Sequence, residues 1–182
     1  MSGITNYRMI LDELNYTLSH IQDNEAQALL SQVIKADRVF ISGKGRSGFV
    51  ANSFAMRLNQ LEKFTYVIGE STTPSITEND LFIIISGSGS TEHLRFLAKK
   101  AKSIGATIVL LSTNAVSEIG KLSDTVIEFF AGTKYDIYGS DQPLGSLFEQ
   151  STQIFLDSVV LELMKQLKIN EETMQKNHSN LE

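Results

Sequence analysis

The feature that most constrains the fold of this chain is the segment FIIISGSGST at residues 82–91. Four consecutive large apolar residues, preceded by Leu81, are typical of a strand that is buried on both faces. The strand is followed by a Ser- and Gly-rich loop and then by apolar residues at helical spacing: Leu94, Leu97, Ala98, Ala101 and Ile104. A buried strand that leads through a short loop into a helix is the unit from which parallel sheets are built.

The loop itself has the composition of an anion-binding site. Gly87 and Gly89 allow backbone conformations that gather several N–H groups around one small concave site. The loop also carries hydroxyl groups that can donate hydrogen bonds to an oxyanion, on Ser86, Ser88, Ser90 and Thr91. Because the helix N-terminus that follows also favours anions, we expect this loop to bind a phosphate group; the alternative is a connecting turn without a ligand.

Length and composition narrow the class of protein. With 182 residues, of which 42% are hydrophobic and 20% charged, residues 1–182 are expected to form one domain. The net charge of −5 argues against nucleic acid as a main partner. The chain has no cysteine, no signal-peptide pattern and no apolar run near the ~20 residues that a membrane span needs, so we expect a cytoplasmic protein that does not enter the membrane.

The order of the apolar segments predicts an α/β fold. Two amphipathic helices are predicted within residues 1–36, a short helix at 116–122 and a long helix at 146–167. Strands are predicted at residues 38–42, 64–68, 81–85, 107–111 and 125–129. Because strands that alternate with helices need crossover connections, we expect a three-layer αβα sandwich with a five-stranded parallel sheet over residues 37–168, followed by a polar C-terminal tail at 169–182.

A second glycine-rich loop, GKGRSG at residues 43–48, follows the first predicted strand. Its glycines match the G-x-G-x-x-G spacing of dinucleotide binding, and Glu70 lies where a ribose-binding acid would be expected. A dinucleotide, however, leaves the loop at 86–91 without a role. If the first and third strands are neighbours at the switch in strand order, both loops open into one crevice, and a phosphorylated metabolite explains both.

The two loops together resemble a known family. SGKGRSG followed by ISGSGST is similar to the sugar isomerase (SIS) domain of phosphosugar isomerases and sugar-phosphate sensors, over residues 40–170. QPLGSLFEQ at 142–150 and NHSNLE at 177–182, with the chain length and the two leading helices, resemble the 6-phospho-3-hexuloisomerase family. Another SIS phosphosugar isomerase, or a non-catalytic sugar-phosphate sensor, is the alternative. Sensors usually carry a DNA-binding domain, for which residues 1–36 lack a basic face.

The resemblance implies a flavodoxin-like topology and a ketose phosphate isomerase. The family interconverts D-arabino-hex-3-ulose 6-phosphate and D-fructose 6-phosphate through an enediol intermediate, in the ribulose monophosphate pathway for formaldehyde. It also implies a homotetramer that uses no metal and no organic cofactor.

Glu149 is the candidate for the catalytic base of such a reaction. Moving a carbonyl group between adjacent carbons requires a base that removes the proton beside it. Glu149 lies in the first turn of the long helix, after a loop at 131–145 that is long enough to be functional. We expect the positive end of the helix to keep the carboxylate ionised. The alternative is an acidic residue that only complements the helix dipole.

His178 is the acid/base partner that the resemblance implies. The other two histidines, His20 and His93, are expected at exposed helix positions, although His93 directly follows the phosphate loop. The long helix would carry the chain roughly 30 Å from Glu149, at ~1.5 Å per residue. Because the tail could return over that distance only if nearly extended, we predict that His178 completes the active site of a neighbouring subunit.

The remaining candidates come from the two loops. The hydroxyl groups expected to bind the phosphate are those of Ser86, Ser88 and Thr91, with Ser90 and Ser47 as further candidates. Arg46 is expected to bind the phosphate or polarise the sugar oxygens, and its alternative is a surface salt bridge. Lys44 is expected to attract the anion without binding it directly. The glycines that shape the loops are Gly43, Gly45, Gly87 and Gly89.

Overall fold

The structure, a computed structural model, describes residues 5–132 and 139–181, in which a five-stranded sheet is surrounded by helices. The strands are β1 (Val39–Gly43), β2 (Thr65–Val67), β3 (Leu81–Ile85), β4 (Thr107–Ser112) and β5 (Thr125–Glu128). The helices are α1 (Asn6–Ser19), α2 (Asp23–Lys35), α3 (Arg46–Gln60), α4 (Glu92–Ile104), α5 (Ser146–Leu167) and α6 (Glu171–Lys176). None of the helices in these ranges is both long enough and apolar enough to span a lipid bilayer.

The strands are ordered β2-β1-β3-β4-β5, and every neighbouring pair is parallel. Successive strand residues point to opposite faces of the sheet. Ile41 and Ile83 therefore join a core with α2, α3 and α5 on one face, whereas Phe40 and Phe82 join a second core with α4 on the other. Because both faces are covered, the central strands are apolar throughout. The predicted three-layer αβα sandwich with a five-stranded parallel sheet is confirmed.

The point at which the strand order reverses lies between β1 and β3. These strands pair along their whole length, and Gly43 at the end of β1 is opposite Ile85 at the end of β3. The connection after β1 leads through α3, on one face of the sheet, and the connection after β3 leads through α4, on the other face. A crevice opens where the two connections separate. The condition under which both glycine-rich loops open into one crevice, that the first and third strands are neighbours, is therefore met.

Two predicted segments differ from the structure. Only a 3-10 turn, Gly120–Leu122, forms within the helix predicted at 116–122. The Ile119 N–H donates to the Gly89 carbonyl oxygen at 3.1 Å instead of to a carbonyl one turn earlier, because this segment packs against the 86–91 loop. The polar tail at 169–182 contains α6, whose first turn is capped by the Asn170 side chain.

Candidate active site

A cavity of about 410 Å³ lies at the carboxyl edge of the sheet, where β1 and β3 end. It is bounded by the loop into α3, the loop into α4 and the start of α5. The predicted site residues that line it are Gly45, Arg46, Ser47, Ser86, Gly87, Ser88, Thr91 and Glu149. The two glycine-rich loops therefore open into the same crevice, together with the candidate base.

Three helices begin at this cavity. The residues at their N-caps are Gly45 for α3, Thr91 for α4 and Gly145 for α5, and within the described part of the chain none of them caps its helix through a side chain. Threonine is a favoured cap, yet the Thr91 hydroxyl lies 3.5 Å from the Ser86 hydroxyl, at the cavity wall. The N–H groups of the first helical turns are therefore left without side-chain acceptors. Together with the helix dipoles, they make the cavity favourable for an anion.

The two glycines of the 86–91 loop have different roles. Gly89 has a φ of +60°, and its N–H closes a turn by donating to the Ser86 carbonyl oxygen at 3.0 Å. Gly87 does not have a left-handed φ; a Cβ at this position would lie 3.2 Å from the Phe148 ring. A positive φ is therefore the reason for glycine at Gly89, whereas close packing against Phe148 is the reason at Gly87.

Ser90 and Gly89 do not line the cavity, in contrast to the other candidates of this loop. The Ser90 hydroxyl donates to the Ser88 hydroxyl oxygen at 3.1 Å, and the Ser90 N–H lies 3.3 Å from the same atom. Ser90 is therefore placed to orient Ser88.

Glu149 lies in the first turn of α5, where its N–H donates to the Gly145 carbonyl oxygen at 3.1 Å. Its side chain is only 16% exposed, and the Arg46 Nε lies 3.4 Å from its Oε2. Burial raises the pKa of the Glu149 carboxyl, and the charge of Arg46 partly opposes this rise. The expectation that the helix end would hold the carboxylate in its ionised form misses this upward shift. A carboxylate with a raised pKa is a stronger base.

Arg46 connects the first loop to the start of α5. Besides its ion pair with Glu149, its Nη1 donates to the Ser146 hydroxyl at 2.9 Å. Arg46 therefore forms a salt bridge, which was the alternative to ligand binding, and its partner is the candidate base. The side chain is still 53% exposed and lines the cavity, so a ligand oxygen can reach it.

His178 is not brought to the Glu149 of its own chain. The preceding residue, Asn177, donates from its Nδ2 to the Gln60 carbonyl oxygen at 3.1 Å, which holds the tail against the C-terminal end of α3. Since α3 begins at the cavity with Arg46, this contact lies roughly 20 Å away at ~1.5 Å per residue. His20 and His93 do not line the cavity either.

One residue that the sequence analysis missed is Glu13 of α1. Its carboxylate accepts hydrogen bonds from the Ser140 hydroxyl at 3.0 Å, the Asp141 N–H at 2.8 Å and the Gln142 side chain at 2.9 Å. These contacts hold the segment that enters α5. No sequence signal separates Glu13 from the other acidic residues of the N-terminal helices.

A second missed group is the pair Ser112 and Thr113, at the end of β4. Both hydroxyl groups donate to the Gly87 carbonyl oxygen at 2.9 Å. A signal for them existed, because two polar residues follow the apolar run of a predicted strand and must lie at the same edge as the phosphate loop.

The loop predicted at 131–145 falls partly outside the described residues, since residues 133–138 are not described. In its described part, Leu144 lines the cavity with a φ of +59°, a left-handed conformation that is strained for a leucine. Such strain is concentrated at functional sites.

The cavity does not favour the dinucleotide alternative. Glu70 is exposed and does not line it, and both anion-binding loops share its volume. Over residues 5–132 and 139–181, no three His, Asp or Glu side chains are grouped as metal ligands would be.

Comparison with known proteins identifies the family. The SIS domain family matches residues 32–148. The 3-hexulose-6-phosphate isomerase of Bacillus subtilis (strain 168) is 42% identical over 176 residues, which cover 95% of this chain and 95% of that protein. The protein of the same name from Methanocaldococcus jannaschii is 42% identical over 160 residues, covering 87% of this chain and 84% of that protein.

A solved structure is similar to this chain in both fold and sequence. The crystal structure of a Methanococcus jannaschii protein, for which a molecular function of 3-hexulose-6-phosphate isomerase is inferred, has a TM-score of 0.87 and 36% sequence identity. The match covers 98% of this chain and 100% of that chain. The chain therefore belongs to the SIS domain family and, within it, to the family of the proteins named 3-hexulose-6-phosphate isomerase.

Proposed function

We propose that this protein interconverts D-arabino-hex-3-ulose 6-phosphate and D-fructose 6-phosphate. The observation that carries the proposal is that a largely buried carboxylate, Glu149, shares one cavity with the hydroxyl groups of the 86–91 loop. The cavity volume of about 410 Å³ is within the range of small-molecule sites. The loop chemistry identifies a phosphate group but not the sugar, and the names of the relatives support the choice of a 3-hexulose.

The phosphate group is proposed to bind at the start of α4. The hydroxyl groups of Ser86, Ser88 and Thr91 donate to its oxygens there, and the helix N-terminus favours its charge. Ser47, at the start of α3, contributes from the opposite loop, and Lys44 raises the local positive potential. Fixing the phosphate in this way orients the carbon chain toward α5.

Glu149 is proposed to remove the proton from C2 of the 3-hexulose, which gives an enediolate across C2 and C3. Returning that proton to C3, while a proton moves from the C2 hydroxyl to the C3 oxygen, gives the 2-ketose with no atoms gained or lost. Arg46, which is 3.4 Å from the Glu149 carboxylate, is placed to stabilise negative charge on the enediolate oxygens.

The His178 of a neighbouring subunit is proposed to carry the proton from the C2 hydroxyl to the C3 oxygen. The contact between Asn177 and Gln60, at the far end of α3, supports an assignment across subunits because it keeps the tail away from the cavity of its own chain. The proposal therefore requires a homo-oligomer, for which we favour a tetramer. An imidazole suits this step because one ring nitrogen can accept a proton while the other donates one.

The wider setting is proposed from the same reaction. Conversion of a 3-hexulose 6-phosphate to fructose 6-phosphate places the protein in the ribulose monophosphate pathway, in which formaldehyde is fixed. A cytoplasmic location and action of residues 1–182 as a single domain are part of this proposal.

The first test is the conversion of D-arabino-hex-3-ulose 6-phosphate by the wild type and by Glu149→Gln. We expect kcat to fall by about 10²–10⁴-fold with little change in KM, because the amide keeps the shape of the side chain but cannot accept the proton. Glu162→Gln, at a half-buried position of the same helix that does not line the cavity, is the matched control. A wild type that binds sugar phosphates without converting them would instead indicate a sensor.

The second test asks which subunit supplies His178. We expect Glu149→Gln and His178→Asn each to inactivate the homo-oligomer when expressed alone. The two variants are then co-expressed so that mixed oligomers form. If each site combines Glu149 of one subunit with His178 of another, mixed oligomers regain some fully equipped sites and some activity returns. If both residues act within one subunit, no mixed site is complete and the mixture stays inactive.

A further inference from the structure

The carbonyl oxygen of Gly87 is held by three donors from the end of β4. It accepts hydrogen bonds from the Thr113 N–H at 3.0 Å, the Thr113 hydroxyl at 2.9 Å and the Ser112 hydroxyl at 2.9 Å. Ser112 is fully buried, and its hydroxyl oxygen accepts from the Asn114 N–H at 3.2 Å, which leaves its proton for Gly87. Three donors on one carbonyl oxygen are more than backbone satisfaction requires.

The opposite side of this peptide is equally constrained. Gly87 packs so closely on the Phe148 ring that even a methyl group would lie 3.2 Å from it. The peptide between Gly87 and Ser88 is therefore clamped between β4 and the start of α5, and it has little freedom to rotate.

The clamp determines the direction of the Ser88 N–H. In a planar trans peptide, the C=O and the following N–H point in opposite directions. The Gly87 carbonyl is directed toward β4, so the Ser88 N–H is directed toward β1, the neighbour of β3 on its other side. The cavity lies in that direction, because Gly45 and Ser47 after β1 form its other wall. Within the described part of the chain, the Ser88 N–H donates to no protein group.

We propose that Ser112 and Thr113 are positioning residues that orient the Gly87–Ser88 peptide so that the Ser88 N–H donates to the phosphate group of the ligand. The inference rests on the proposed function only in taking that ligand to be a phosphate ester. It adds a backbone donor whose direction is set before the ligand arrives, so that no rearrangement is needed on binding.

The test compares the wild type with Thr113→Val, which removes one hydroxyl donor, and with the double variant Ser112→Ala/Thr113→Val. Thr107→Val, at the other end of the same strand, is the matched control, and Thr113→Ser restores the hydroxyl. For each variant, the Kd of inorganic phosphate is measured by calorimetry, KM and kcat by the isomerase assay, and the free energy of unfolding in urea.

We expect the double variant to bind phosphate about tenfold more weakly and to show a similar rise in KM, with kcat within about twofold of wild type. Thr113→Val should show a smaller loss, and Thr113→Ser should bind as the wild type does. Folded variants that bind phosphate with the wild-type Kd, whatever their free energy of unfolding, would overturn the inference.

The phosphate measurement also separates this inference from the proposed function. If the wild type binds phosphate but does not convert the 3-hexulose phosphate, the proposed reaction fails. A weaker phosphate affinity of the double variant would then still support the role of Ser112 and Thr113, and an unchanged affinity would overturn it.

Discussion

Substitution of Gly89 by alanine tests how the phosphate loop is built. Gly89 and Gly45 both have a positive φ, of +60° and +59°, but the ψ of Gly45 is −133°, which lies outside the left-handed helical region. A Cβ on Gly45 meets no atom within 4 Å, whereas a Cβ on Gly89 would lie 2.1 Å from the Ser117 hydroxyl oxygen and 2.5 Å from the Ser117 Cβ. An alanine would therefore be strained at both positions, but only at Gly89 would it also clash with a neighbouring side chain.

The expected losses follow from this difference. A left-handed backbone costs an alanine at Gly89 ~1–2 kcal/mol. For Gly45→Ala, backbone strain of ~1–3 kcal/mol is the whole expected loss. In Gly89→Ala, Ser117 must also move, although it is buried and its hydroxyl accepts from the Gly120 N–H at 3.1 Å. Overpacking of this kind adds ~1–3 kcal/mol. We therefore expect Gly89→Ala to lower the free energy of unfolding by ~2–5 kcal/mol in total.

Equilibrium unfolding in urea measures the free energy of unfolding of both variants. The dependence of that free energy on urea concentration should be the same in the variants as in the wild type. The double variant Gly89→Ala/Ser117→Gly, compared with Ser117→Gly alone, gives the loss from Gly89→Ala when both clashing atoms are absent. It shows whether the Ser117 side chain causes the excess of the loss over backbone strain. We expect that excess to disappear. A Gly89→Ala loss that is undiminished when the Ser117 side chain is absent would refute the reasoning.

Three further outcomes concern ionisable groups. Arg46→Met should move the acid limb of kcat/KM to higher pH, because the charge of Arg46 opposes the rise that burial causes in the pKa of Glu149. Glu149→Gln should raise the free energy of unfolding at pH 7, because a raised pKa means that the charged carboxylate is less stable in the folded protein than in the unfolded chain. The gain should vanish as the pH falls below the ordinary glutamate pKa, where the carboxyl is protonated in both the folded and the unfolded state. Asp80→Ala should lower the free energy of unfolding by ~3–5 kcal/mol at neutral pH, because it leaves the Arg38 guanidinium unpaired beside a buried site. Burial alone would raise the pKa of Asp80, but hydrogen bonds from Arg38 and Thr77 hold it below its usual range. The loss of stability in Asp80→Ala should therefore shrink as the pH falls through the pKa that Asp80 has in the folded protein. Urea unfolding at several pH values measures this dependence.

The architecture was largely predictable from the sequence. Each predicted strand is present, with ends that differ by one residue at most. The hypothesis that both loops serve one ligand required β1 and β3 to be neighbours, and the strand order meets this condition. The segment at 116–122 was harder to predict, because its apolar pattern suits a helix while the Ile119 N–H bonds to the Gly89 carbonyl of another loop.

The location of the candidate site was also predictable, but its internal contacts were not. Glycine-rich loops after parallel strands point to one edge of the sheet, and Glu149 follows a long loop that reaches the same edge. The ion pair of Arg46 with Glu149, the upward pKa shift of that carboxyl and the distance of the tail from its own cavity depend on how the helices pack.

By itself, the sequence determined the strands, the helices that alternate with them and the two anion-binding loops. These are properties of contiguous residues, for which apolar periodicity and glycine positions are sufficient signals. The tertiary structure alone decided which side chains hold those loops in place. Glu13 meets Gln142 across 129 positions of the chain, and Thr113 meets the Gly87 carbonyl across 26. Such partners are selected by the packing of whole elements, and one hydroxyl or carboxylate in a sequence carries no mark of the distant group to which it will bond.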